Sequence, residues 1–219
     1  MCILTIFFRY IYTDKAVITL EYVLYILYAA KKYFLDSLAK ECREFLKDNV
    51  TPENVCTFYE QCLFLDEKDL VAKCRRVIEE HTHRAFKSDS FLEISRKTLQ
   101  NLLTNDLLNL HEFQIFRFCL KWAKTKLIRT GKPCDGTECR AVLGDVLHQI
   151  RFPTMSVEDF IDDVIPSKIF TEYEERNIRE YLEMADKPRT ATALGFSTKP
   201  RAAQMRRDFG RLVVMACQR

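Results

Sequence analysis

Four histidines, nine cysteines and 31 acidic side chains are the raw material for metal or acid–base chemistry in this 219-residue sequence. His81 and His83 stand two apart. In a helix that spacing turns the two imidazoles about 200° from one another, and no Cys or carboxylate at zinc spacing accompanies them, so they read as surface residues rather than ligands. Cys134 and Cys139 flank a turn containing Gly136, but without a second pair they make a weak metal signal. Acidic runs such as Glu172, Glu174 and Glu175, or Asp162 and Asp163, read as solvated faces and as charge favourable at helix N-termini. With five glycines in the chain, no phosphate-cradling loop is present. No catalytic, cofactor-binding or metal-ligating residue is predicted, and no small-molecule substrate. What remains is recognition by large side chains. The sequence has 16 Phe and 9 Tyr, with Trp122 as its one tryptophan. Most fall at core spacing, and an aromatic not needed inside can anchor a partner, because it supplies a large rigid contact area.

Charge narrows the partner classes. Net charge is +3, too small for the whole chain to read as a nucleic-acid binder. Between Lys187 and Arg219 stand eight basic residues and one acid, Asp208, so this segment carries +7 and the remainder −4. A basic, mobile, solvated tail on a mildly acidic body is expected. The tail also supports an alternative reading as a nucleic-acid or chromatin-associated protein, although only Phe196 and Phe209 interleave as stacking residues. Cys42, Cys62, Cys74 and Cys119 sit on apolar helix faces, as reduced buried thiols do, and the odd count lacks a paired framework; a cytoplasmic protein is expected. The apolar start, Met1 to Phe8, has no basic stretch before it and is interrupted by Arg9. Neither a signal peptide nor a membrane span is predicted.

The elements that would position such residues are mostly helices. Thr19 opens a run to Tyr33 that is apolar nearly all round, which implies burial on more than one side. Leu38, Cys42, Phe45 and Leu46 repeat at helical spacing after Asp36. Thr51-Pro52 supplies an N-cap and a first-turn proline for a helix with Val55, Phe58, Tyr59, Cys62 and Leu63 as its stripe. A second start at Asp66, with Leu70, Cys74, Val77 and Ile78 inward, completes a helical hairpin. Ser95 caps a helix carrying Leu99, Leu102 and Leu103; Phe116, Cys119, Leu120 and Ala123 mark a longer one, stopped by Gly131-Lys132-Pro133. Leu143, Val146, Leu147 and Ile150 mark another. Ser156 with Asp159 and Thr171 with Glu174 form capping boxes, and Ile178, Tyr181, Leu182 and Ala185 line the last helix. Only Ala16, Val17 and Ile18 suggest a strand.

These residues carry a family likeness. Tyr10-Ile11-Tyr12-Thr13-Asp14, Val23-Leu24-Tyr25 and Tyr28-Ala29-Ala30-Lys31-Lys32-Tyr33 resemble the C-terminal part of BTB domains. Thr51-Pro52-Glu53-Asn54-Val55, Leu63-Phe64-Leu65-Asp66-Glu67 and Leu120-Lys121-Trp122-Ala123 resemble a BACK domain. Ile150-Arg151-Phe152-Pro153-Thr154-Met155 and Phe196-Ser197-Thr198-Lys199-Pro200 are similar to the BTB-BACK-PHR subfamily and its link into the PHR domain. The resemblance implies an all-α fold, a BACK-type stack of helical hairpins with a remnant of BTB helices and at most one short strand. The expected division is 1–48 BTB remnant, 49–186 BACK domain and 187–219 tail. The implied function is a non-enzymatic fragment of a substrate adaptor for cullin-3 ubiquitin ligases. Residues 51–79 would present a hairpin groove to cullin-3 with Phe58, Tyr59 and Leu63 as apolar contacts; a plain core role is the alternative for all three. With the front of the BTB fold absent, weak cullin binding and no symmetric homodimer are expected.

Overall fold

The computed structural model describes residues 9–10, 12–13, 17–184, 192–193 and 195–202. The chain divides into two compact units, Met1–Ile78 and Glu79–Arg219. In the first, α1 (Val23–Lys32) packs on α2 (Asp36–Asn49). Their seam is built from Val23, Ile26, Leu27 and Ala30 of α1 and Leu38, Ala39, Cys42 and Leu46 of α2, all buried. Each Leu or Ile so buried stabilises by about 2 kcal/mol. Only one stripe of α1 is covered: Tyr25 and Tyr28 face solvent, so the expectation of an all-round apolar run buried on several sides gives way to an amphipathic helix. The reversal between α1 and α2 passes through Phe34 at a left-handed φ of 56°.

The hairpin follows as α3 (Val55–Phe64) and α4 (Lys68–Glu80). Thr51 does not act as the side-chain cap expected of it. Its carbonyl accepts from the amides of Asn54 (3.2 Å) and Val55 (3.0 Å) in a tight turn, and the Asn54 side-chain oxygen accepts from Thr51 N–H at 2.9 Å. The second start lies at Lys68 rather than Asp66, which takes a left-handed φ of 53°; Asp tolerates that region better than most residues. The α3–α4 turn is tied by ion pairs of Glu67 to Lys31 of α1 and Arg43 of α2.

The second unit is built round α8 (Glu112–Arg129), preceded by α5 (Thr82–Lys87), α6 (Asp89–Glu93) and α7 (Arg96–Leu103). Ser95 caps α7, its Oγ accepting from Thr98 N–H at 3.3 Å. Ile115, Phe116, Cys119, Trp122, Ala123 and Leu127 form the buried stripe of α8. Trp122 donates its indole N–H to the Ile94 carbonyl at 3.0 Å, and Lys126 Nζ stands 5.4 Å from its ring centroid. Gly131, at φ 67°, ends the helix as its position suggests.

The helix expected over Leu143–Ile150 is broken. α9 spans Gly136–Leu143, and Gly144, at φ 51°, turns the chain into a 3-10 segment, Gly144–Gln149. The apolar spacing survives the change because Val146, Leu147 and Ile150 are still buried. A 3-10 turn (Phe152–Thr154) leads to α10 (Val157–Asp159), which widens into a π turn (Phe160–Val164). Thr171 and Glu174 make the full capping box of α11 (Glu172–Glu183).

The architecture is all-α, as expected. Its β structure among the described residues is a two-residue antiparallel pairing, Thr192↔Ser197 and Ala193↔Phe196. Val17 and Ile18 are in no strand, and Ala16 and Ala185 lie outside the described residues. Within residues 195–202 two side chains depart from the expected solvated tail, while Gly195 and Lys199 are exposed. Phe196 and Arg201 are buried in the second unit, so neither is available for the stacking and charge contacts of the nucleic-acid reading. Phe209 lies outside the described residues.

Candidate interaction site

The hairpin helices meet through side chains: an Arg75 guanidinium N–H donates to Tyr59 Oη at 3.1 Å, and the thiols of Cys62 and Cys74 face one another. Val55, Cys56, Phe58, Tyr59 and Cys62 are the inner face of α3. Of the three side chains singled out as contacts, Phe58 and Tyr59 are therefore core residues. Leu63 is at the surface, 37% exposed, and Phe64 beside it is 75% exposed. Phe64 was legible as an apolar residue off the Val55–Cys62 stripe, on the side a soluble helix normally makes polar.

The turn after Phe64 is held in place. Leu65 N–H bonds Gln61 O at 2.9 Å and Glu67 N–H bonds Cys62 O at 3.0 Å, closing the α3 carbonyls. Glu67 is buried, yet its carboxylate receives Arg43 Nε at 2.8 Å and Nη2 at 3.1 Å, and Lys31 Nζ at 3.0 Å. Burial pushes the Glu67 carboxyl up, but the hydrogen bonds from Arg43 and Lys31 outweigh it and the net direction is downward. Lys31 also donates to the Leu65 carbonyl. A buried charge paired and hydrogen-bonded in this way avoids the cost of an orphaned one. Nothing in the spacing of Lys31, Arg43 and Glu67 marks them in the sequence, since 24 to 36 residues separate partners that only the packing of α1, α2 and the hairpin brings together.

Beside this turn lies a groove of about 340 Å³ lined by Leu63, Asp66, Glu67, Val71, Ala72 and Arg75 among others. Its walls are apolar stems with charged heads at the rim. Such a surface suits a peptide or helix with one or two apolar anchors. As for the other candidates, His83 is exposed and sits edge-on to Phe118 at 5.7 Å, Cys134 is exposed and Cys139 buried. Among the described residues no three His, Cys, Asp or Glu side chains converge as a metal site would require, and no helix is long and apolar enough to cross a membrane.

The chain belongs to the BTB-BACK family of protein-interaction modules: it matches BACK ("BTB And C-terminal Kelch") over residues 55–165 and the BTB/POZ domain over residues 1–50. Among its relatives are "BTB/POZ domain-containing protein 6" of Xenopus laevis, 37% identical over 183 residues, and of Homo sapiens, 35% identical over 184 residues; each comparison covers 84% of this chain. "BTB/POZ domain-containing protein 3" of Homo sapiens is 34% identical over 180 residues, 82% of this chain. The chain spans about a third of the length of these relatives, 35%, 34% and 34% respectively.

Proposed function

We propose that this chain is a non-enzymatic, cytoplasmic adaptor module that docks on cullin-3 through the α3–α4 hairpin, in the manner of BTB-BACK substrate adaptors. The observation that carries this reading is the adjacent pair at the end of α3, Leu63, which lines the groove, and Phe64, which is largely exposed beside it, next to a turn that Glu67, Arg43 and Lys31 fix. Two adjacent large apolar side chains on a rigid support are what an interface anchor needs, because little ordering entropy is lost on binding. Phe58 and Tyr59 serve the site from within, as the packing that keeps α3 straight under its exposed end.

Calorimetric titration of the chain with the N-terminal domain of cullin-3 tests this. Binding in the micromolar range or weaker is expected. Phe64→Ala removes one anchor of about 2 kcal/mol, a roughly thirtyfold loss, with an unchanged melting temperature. Tyr59→Ala acts on the core instead and costs about 3 kcal/mol of stability. Binding that Leu63→Ala and Phe64→Ala both leave unaltered removes the hairpin from the mechanism.

A further inference from the structure

We propose that the second compact unit carries a built peptide slot and that residues 196–201 of the same chain are its resident ligand, a strap recognised through one phenylalanine and one arginine.

The slot has two pockets. In the first, Phe196 is almost fully buried among three rings: His148 stacks on it at 5.3 Å between centroids, and Phe152 and Phe170 meet it edge-on at 5.1 and 5.6 Å. In the second, five residues further on, Arg201 is completely buried together with Glu112. Arg201 Nε donates to Glu112 Oε1 at 2.6 Å, Nη1 to the carbonyls of Leu103 at 2.7 Å and Asn105 at 2.8 Å, and Nη2 to the carbonyl of Gln149 at 3.0 Å. These four acceptors match the planar fork of a guanidinium, and an ammonium cannot reach them all from one point. The second Glu112 oxygen is also in use, accepting from Arg151 N–H at 3.1 Å. Between the pockets, Arg151 Nη1 donates to the Lys199 carbonyl at 3.1 Å and so grips the strap's backbone. Gly195, at φ 83°, lets the chain turn into the first pocket.

The helical body needs this ligand. Without Arg201, Glu112 is a fully buried carboxylate short of its countercharge, and the carbonyls of Leu103, Asn105 and Gln149 each lose a donor; both are heavily penalised inside a protein. Nothing in this chain of contacts depends on cullin, so the proposal stands apart from the adaptor reading.

Trypsin provides the first test on the full chain, because cleavage after Arg201 requires its side chain to enter the protease. The Arg201–Ala202 bond should survive in the native protein far longer than in a free peptide of residues 195–205, and Phe196→Ala should raise its cleavage rate at least tenfold. Cleavage in the native wild type at the free-peptide rate overturns the proposal, whatever the variants do. Next, the full-length double variant Phe196→Ala/Arg201→Met should melt roughly 10 °C lower. Adding the wild-type 195–205 peptide should restore part of that loss, and the same peptide carrying Arg201→Met should not. Equal effects of the two peptides on the folded variant likewise overturn it.

Discussion

Arg140 and Glu174 pair at two points, Nη1 to Oε2 and Nη2 to Oε1, both 2.7 Å. The Glu174 carboxylate also accepts from Thr171 N–H at 2.9 Å, and the hydrogen bonds from Arg140 first, then those from Thr171, hold its pKa down at about 2 against an ordinary value of 4.5. A carboxyl depressed on folding contributes stability that is complete above the unfolded value and lost as pH falls through the folded one. Acid should therefore withdraw this pair's contribution between about pH 4.5 and pH 2. Because the pair is part-exposed, that contribution is on the order of 1 kcal/mol. Melting curves of Glu174→Gln should be lower than wild type at pH 7 and converge with it near pH 2. Burial pushes the Cys42 thiol up to about 12 and raises that of Cys119, and Cys74 is raised by its neighbour Cys62 and then by burial, whereas Cys134 is exposed. Since the thiolate is the nucleophile, iodoacetamide on the native protein should label Cys134 quickly and leave Cys42, Cys74 and Cys119 untouched until denaturant is added; site-resolved mass spectrometry reads the outcome. At this scale the sequence was least legible. Arg201 looks like any of eight tail cations, and its partner Glu112 lies 89 residues away. No local pattern announces that one arginine in a basic run is buried. Phe64 was half legible, because helical period sets it off the inner stripe but does not say what covers it, whereas Leu63, counted in that stripe, lies at the surface.

The secondary elements are more predictable, because capping and termination are local. Ser95, Ser156 and Thr171 accept from the amides three residues on, as their positions before apolar runs suggest. Period alone misled at Gly144, where apolar spacing compatible with a helix continues through a left-handed glycine that ends it. Gly136, at the start of α9, shows a different demand. A Cβ there would lie 2.0 Å from the Lys168 carbonyl oxygen, so α9 rests directly on the backbone of the turn after Ser167. Gly136→Ala should destabilise the protein by about 2–3 kcal/mol, since backbone rather than a flexible side chain must give way. A chemical-denaturation midpoint equal to wild type would show that the turn can shift freely. Gly131, where an added Cβ meets nothing within 4 Å, is the control: its substitution is opposed by φ alone.

The molecule as a whole divides where the sequence gives no punctuation, at Ile78/Glu79 within α4. Composition and helical period announce an all-α protein, and family likeness announces BTB-like helices before a BACK-like body. The Glu67 cluster joins the hairpin turn to α1 and α2, a link that no composition shift reveals. This division gives the one tryptophan an unusual value. Trp122 belongs to the second unit, and its indole contacts, the Ile94 carbonyl and the Lys126 ammonium, belong to that unit too. Its fluorescence is therefore an optical gauge of one unit, while far-UV circular dichroism sums the helices of both. Leu27→Ala, which opens a cavity in the α1–α2 seam, should cost about 3 kcal/mol there. The dichroism midpoint in urea should fall, and the emission midpoint should stay where it was; emission that moves in step would mean that the units unfold as one. A single native chromophore thus permits the two halves of the chain to be weighed separately without a label.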